Sequence, residues 1–249
     1  MSKVVIAGGR GRLGSLITEI VEKEAGFELA ASLGRQATAE EYAAGDILID
    51  VTNYEVSKEI VFAALERGQR VLVGTSGWQQ EALTELQEHA LECGSAVTVI
   101  PNFSLGSVLG SALATLAAPY FESVEIVETH HAAKVDSPSG TAIRTAEMVS
   151  AARSKSSIKA AHTQAAFVDQ EARGQQVAGV PVHAIRQHGI LATQEVRFGG
   201  TGESLEIVHR TFSKESYRAG VVAALKALQT QDPGLIVGLD RVLGLEFAN

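Results

Sequence analysis

Residues Gly8-Gly9-Arg10-Gly11-Arg12-Leu13-Gly14 restrict the fold of this chain more than any other stretch. They follow the apolar run Lys3-Val-Val-Ile-Ala7 and lead into Leu13, Leu16, Ile17, Ile20 and Val21, an apolar stripe at helical spacing. Gly9, Gly11 and Gly14 satisfy G-x-G-x-x-G. That pattern lets a backbone turn tightly at the end of a strand and come close to a pyrophosphate resting on a helix N-terminus. Between a strand and a helix it points to a dinucleotide, against the plainer reading of a tight turn. A mononucleotide P-loop is excluded, because Ser15 stands where lysine would have to follow Gly14.

The surrounding pattern supports a parallel sheet with crossover helices. Phe27–Leu33, Asp46–Thr52, Arg70–Gly74 and Ala96–Ile100 are short runs too apolar to be half exposed. Ile60, Val61, Ala64 and Leu65 begin a second helical stripe that Gly68 can close. At the end of the second run an acid would favour the free ribose hydroxyl of NADH, but the residues there are Leu33-Gly34-Arg35. Arg35 suits the 2′-phosphate of NADPH; it also reads as a solvated surface arginine, and Arg10 or Arg12 offers the same charge. Both cofactors stay open.

After Pro101 the pattern changes. A helix is expected from Leu105 to about Ala118, then an alternating strand Val124–His130, then a helix from about Thr141 to Arg153. Ser154–Gly179 has no period and reads as a long loop with a short element inside. Val182–Leu191, Gln194–Phe198 and Ser204–Thr211 alternate like an antiparallel or mixed sheet. A last helix, about Ser216–Gln229, and the tail Gly234–Leu245 are apolar enough to pack, but periodicity does not say against which half. The fold class is therefore α/β: a Rossmann-like domain followed by an α+β region with a mixed open sheet. A length of 249 residues suits two modest domains.

Composition removes several partner classes. With 21 Lys plus Arg against 29 Asp plus Glu, the net charge of −8 gives no general attraction for nucleic acid or an anionic membrane. No run approaches about 18 apolar residues, and the start lacks a signal-peptide pattern. Cys93, the lone cysteine, cannot form an internal disulfide. Together these predict a cytoplasmic protein.

The second chemical signal is Glu128-Thr-His-His-Ala-Ala-Lys-Val-Asp-Ser-Pro-Ser-Gly-Thr-Ala142, which runs from a strand end through a loop to a helix start. On a regular strand His130 and His131 point to opposite faces, so both meet one ligand only where pairing ends. Ser139, Gly140 and Thr141 precede a helix whose free N–H groups can cradle a carboxylate. Lys134 can supply a counter-charge or a proton. The plainer reading is a capped helix with exposed charges. No metal is expected: a zinc site from His130, His131 and Asp136 lacks a third histidine or cysteine at ligand spacing. Neither Gly74-Thr-Ser-Gly77 nor Ser137-Pro-Ser-Gly140 forms a nucleophile elbow.

The chain resembles the 4-hydroxy-tetrahydrodipicolinate reductase (dihydrodipicolinate reductase) family, of the actinobacterial type, over essentially its whole length. The motifs that carry the resemblance are the loop Gly8–Gly14, Gly74-Thr-Ser-Gly-Trp78, Pro101-Asn-Phe-Ser104 and the E-x-H-H-x-x-K-x-D-x-P-S-G-T-A signature at Glu128–Ala142. Further on, Gly179–Arg186 and Thr193-Gln-Glu-Val196 are similar as well.

The resemblance implies a dinucleotide-binding domain from 1–104 and 214–249, and a substrate-binding and tetramerisation domain from 105–213. It implies NADPH or NADH bound by Gly8, Gly9, Arg10, Gly11, Arg12, Leu13, Arg35, Gly74, Thr75, Ser76, Ile100, Pro101, Asn102 and Phe103. It implies a small dicarboxylate substrate gripped by His131, Ser139, Gly140 and Thr141, with His130 as proton donor or acceptor and Lys134 as proton donor, in a homotetramer. Three departures stand out. Ser137 replaces an alanine, Ser76 and Trp78 replace threonine and phenylalanine, and Thr193 replaces a histidine of close relatives.

Overall fold

The computed structural model describes residues 1–156 and 171–245. In chain order the elements are β1 Ser2–Ala7, α1 Arg12–Lys23, β2 Phe27–Leu33, α2 Ala39–Tyr42, β3 Ile47–Asp50, α3 Tyr54–Glu66, β4 Arg70–Val73, α4 Gln80–Glu92, β5 Ala96–Val99 and α5 Leu105–Ala117. There follow β6 Ser123–His131, α6 Gly140–Arg153, β7 Gln175–Val177, β8 Val180–Gln187, β9 Ala192–Gly200, β10 Glu203–Thr211, α7 Arg218–Thr230, β11 Gly234–Val237 and α8 Leu239–Val242. Two compact units result among the described residues: one holds Met1–Leu105 and 214–245, the other those of Gly106–Ser213.

The first unit is a parallel sheet in the order β11-β5-β4-β3-β1-β2. Its inner strands β1, β3, β4 and β5 are covered on both faces and read as continuous apolar runs, whereas β2, expected to be equally apolar, lies at the sheet edge, buries only Phe27 and exposes Glu28 and Ala30. Val5, Leu48, Val71, Val73 and Val97 pack with Val61, Leu65 and Leu86 of α3 and α4. Ile17, Ile20, Val221 and Leu225 are buried on α1 and α7, which contact each other. Each such fully buried side chain contributes about 1.5–3 kcal/mol relative to leaving it in water. Strand order reverses at β1, so the crevice outside the carboxyl ends of β1 and β3 is where this architecture binds ligands.

The second unit is a mixed sheet in the order β10-β9-β6-β8-β7, in which only β6 and β8 run parallel. Val124, Ile126, Val180, Val182, Val196 and Phe198 project from one face onto Ala114 of α5 and Ala142, Ala146 and Val149 of α6.

Several boundaries differ from the sequence expectation, each for a physical reason. The helix expected around Ile60 begins at Tyr54 because Asn53 caps it, its Oδ1 accepting the Val56 N–H at 3.3 Å. The third strand stops at Asp50, whose side chain accepts the Thr52 N–H and hydroxyl. The run Val182–Leu191 leaves the strand after Gln187, where Gly189 takes a φ of +81°. Helix α4, which the sequence reading does not assign, buries only Ala82, Leu86 and Ala90, a stripe too thin to stand out. Of the stretch expected as a loop, 157–170 lies outside the described residues; a 3₁₀ turn Glu171–Arg173 and β7 fall in the described part. The tail forms β11 at the edge of the parallel sheet beside β5, followed by α8.

Candidate active site

The glycine loop lies between β1 and α1. Gly8 has a φ of +82°, and a Cβ there would meet the Val51 carbonyl oxygen at 2.5 Å. At Gly9 a Cβ would meet Ser32 Oγ, and at Gly14 it would meet the Gly8 carbonyl, so strand and helix approach closely only because these side chains are missing. Gly11 is the N-cap of α1 and gives no side-chain cap, which leaves the orphan N–H donors of the first turn to a ligand. A pyrophosphate fits this cradle. Arg35 lies just past the end of β2, and the Arg10 side chain lies against the neighbouring Gly34. Two guanidinium-bearing residues are thus close together where a 2′-phosphate would need charge.

At the carboxyl ends of β3, β4 and β5 the same unit builds a second wall. Phe103 is buried against Gly74: a Cβ on that glycine would be 2.8 Å from the ring. Thr75 is also buried, and its Oγ1 accepts the Thr52 N–H at 2.9 Å, which ties the loops after β3 and β4 together. Asp50, fully buried, accepts from Thr52 and from the Ser57 hydroxyl. Ser76 and Pro101 are exposed, Asn102 is half-buried, and Ile100 has no exposure, so any contact from Ile100 is through backbone. Asn102 Oδ1 accepts the Ser104 N–H at 2.9 Å. Asp50 is a supporting residue that the sequence reading does not pick out; a polar residue closing an otherwise apolar strand was the available signal.

In the second unit the titratable groups converge at the end of β6. Glu128 and His130 are two residues apart on one strand and so share a face, with His130 Nδ1 2.6 Å from Glu128 Oε2. Arg186, the register partner of His130 on β8, donates both terminal nitrogens to Glu128, at 2.8 and 2.9 Å. The Ser139 N–H donates to the other carboxylate oxygen at 3.0 Å. Burial alone would raise the Glu128 pKa, but the bonds from Arg186, His130 and Ser139 outweigh it and hold the carboxyl below its ordinary range. Burial lowers the His130 pKa, helped by the nearby Lys134 and Arg186 charges, and Glu128 opposes this without reversing it, which favours the neutral ring.

Lys134 Nζ donates to both oxygens of Asp136, at 2.7 and 2.9 Å, and its N–H donates to the His131 carbonyl. Ser139 caps α6 by accepting the Ala142 N–H, which leaves its own hydroxyl hydrogen to donate. Gly140 and Thr141 form the first turn, at the positive end of the helix dipole.

His131 differs from the expectation that pairing ends before it. Register pairing runs through His131 to Gln187, so strand alternation puts it on the opposite side from His130, at the last residue of the strand. The structure thus gathers His130, Ser139 and, through Arg186 and Asp136, the Lys134 loop around one carboxylate, and leaves His131 outside that group. Glu128 and Arg186 lie within the sequence motifs, but sequence reasoning assigns neither a role.

Known proteins resemble the whole chain. The family profiles "Dihydrodipicolinate reductase, N-terminus" and "Dihydrodipicolinate reductase, C-terminus" match residues 2–103 and 106–243. The 4-hydroxy-tetrahydrodipicolinate reductase of Clavibacter michiganensis subsp. michiganensis is 47% identical over 245 residues, covering 98% of this chain and 86% of its own. That of Streptomyces coelicolor is 40% identical over 248 residues, covering 98% of each. Among solved structures, dipicolinate-bound dihydrodipicolinate reductase from Paenisporosarcina sp. TG-14 superposes with a TM-score of 0.84 at 29% identity, over 97% of this chain and 99% of that one.

Proposed function

The chain belongs to the dihydrodipicolinate reductase family, and from that membership we propose how its own residues carry out the family's reaction. It is an oxidoreductase that converts 4-hydroxy-tetrahydrodipicolinate to tetrahydrodipicolinate with NADPH or NADH, in lysine and diaminopimelate biosynthesis. The reduced nicotinamide supplies hydride when bound. The net change replaces a hydroxyl by hydrogen, so a proton must also be delivered for the oxygen to leave as water.

Gly8, Gly9, Gly11 and Leu13 present backbone to the pyrophosphate, with Arg10, Arg12 and Arg35 as the cations at its adenosine end. Gly74, Thr75, Ser76 and Ile100–Phe103 line the nicotinamide end. The first turn of α6 holds a substrate carboxylate by the Gly140 and Thr141 N–H groups, the Ser139 hydroxyl and the helix dipole, the Ser139 N–H being taken by Glu128; His131, on the other side of the strand, is not part of this grip. Lys134 is the proton donor, and Asp136 orients its ammonium group before substrate arrives. His130, with Nδ1–H engaged by Glu128, offers Nε2 as a proton acceptor, and as a donor once the ring has been protonated there. General acid help of this kind is worth about 10²- to 10⁴-fold, and positioning of the substrate adds a term as large.

The observation that carries this reading is that one buried carboxylate binds both His130 and the Ser139 N–H, so the acid-base group and the carboxylate cradle share an anchor. We infer also that the enzyme works as a cytoplasmic homotetramer; the sheet face that α5 and α6 leave uncovered, where Ile185 and Val208 are exposed, supports an assembly surface. The test of function is a pair of initial-rate curves with enzymatically generated 4-hydroxy-tetrahydrodipicolinate. Oxidation of NADPH or NADH that depends on this substrate is expected. Oxidation of neither would move the activity to another cyclic imine or unsaturated dicarboxylate.

A further inference from the structure

We infer that Glu128 is a positioning residue for the reduction: it selects the working nitrogen of His130 and fixes the carboxylate-binding turn through Ser139. This rests on the assignment of His130 to proton transfer and of the α6 first turn to substrate.

Glu128 has no solvent exposure, and an isolated carboxylate there would be prohibitively costly. Four donors fill its lone pairs. Oε1 accepts from Ser139 N at 3.0 Å and from one Arg186 terminal nitrogen at 2.9 Å; Oε2 accepts from the other Arg186 nitrogen at 2.8 Å and from His130 Nδ1 at 2.6 Å. An ionised carboxylate only accepts, so Nδ1 must carry the ring proton and Nε2 keeps the lone pair of the neutral imidazole.

A simple strut between β6 and β8 would need Arg186 alone. Here the remaining two bonds go to the two groups that the reaction uses. Arg186 carries the arrangement further by donating to the Asp136 carbonyl at 2.7 Å, and the Asp136 side chain holds Lys134. Glutamine at 128 would turn an NH₂ group toward donors and could not satisfy all four.

The charged groups facing His130 are Glu128 on its own strand, Arg186 from β8 and Lys134 from the loop; the Ser139 N–H of α6 meets the same carboxylate. Both cations remain in a Glu128→Gln variant while the carboxylate's attraction for an imidazolium disappears. The limb of the kcat–pH profile that belongs to His130 must then move to lower pH.

The experiment is ¹⁵N NMR of the histidine rings in the full chain, with kcat, KM and nucleotide affinity for wild type, Glu128→Gln and Glu128→Asp. The wild type is expected to hold His130 as the Nδ1–H tautomer. Glu128→Gln should shift it toward Nε2–H, lower kcat by about 10²-fold, move the limb to lower pH and leave NADPH affinity unchanged. In a His130→Ala background the same change should cost much less of kcat, since the residues act as a unit. Glu128→Asp, which keeps the charge, should restore the limb.

An Nε2–H tautomer in the wild type overturns the inference, even if Glu128→Gln fails to fold. So does a Glu128→Gln enzyme with lowered melting temperature but unchanged kcat and limb. A wild type with the expected tautomer but no turnover would defeat the assigned reaction, and the positioning role with it, while leaving the geometry intact.

Discussion

Burial and pairing at the residue scale make the second unit sensitive to acid. Burial lowers the folded pKa of His130 below 6.5, and the bonds that outweigh burial lower that of Glu128 below 4.5. In both cases the unfolded chain takes up the proton first as pH falls. The stability these groups lend is therefore present above their unfolded values, and it is lost as pH falls from 6.5 for the histidine, and from 4.5 for the glutamate, toward their lower folded values. A thermal-melting series from neutral pH downward should fall first with the histidine and then with the glutamate, and Glu128→Gln should flatten the lower part. Equal slopes for both proteins would contradict the network. Little of this is legible in sequence. His130 and Lys134 stand out by residue type, whereas Glu128 sits in an alternating strand like any half-wet residue, and Arg186 is 58 positions away from it. Only the parallel pairing of β6 with β8 brings them together.

At the scale of elements, legibility follows burial. β1, β3, β4 and β5 are short runs rich in valine and isoleucine covered on both faces, so their composition finds them within a residue or two; β2 is found as well, although only Phe27 of it is buried. Helix α4 escapes because its buried stripe is mostly alanine, and the four-residue β11 because Gly-Leu-Ile-Val has no period to read. The mixed sheet shows the opposite case. Its outer face carries Thr129, Ile185, Thr193 and Val208 among charged residues, and none of the described helices covers it. Exposed apolar side chains on an uncovered sheet face suit a partner surface. Sedimentation as a four-chain species is expected, with Ile185→Glu and Val208→Glu together reducing it to smaller species. A wild-type chain that sediments alone at all concentrations would contradict the tetramer.

For the molecule as a whole, the division of labour follows from the two architectures. The parallel sheet offers a strand-order reversal and a glycine loop, which suit a dinucleotide but provide no acid. The mixed-sheet unit holds the groups proposed for proton transfer and substrate binding: an imidazole and a helix N-terminus joined through Glu128, and an ammonium group held by Asp136. The sequence shows both halves through short motifs, and family resemblance supplies the reaction; the residues that hold the second half in place emerge only from tertiary pairing.

In the proposed reaction Lys134 delivers the proton for reduction of 4-hydroxy-tetrahydrodipicolinate. Its most direct test is turnover of Lys134→Ala beside wild type, with NADPH binding measured on the same samples. The account predicts kcat lower by at least about 10²-fold at unchanged NADPH affinity; near-normal turnover in the variant would contradict it.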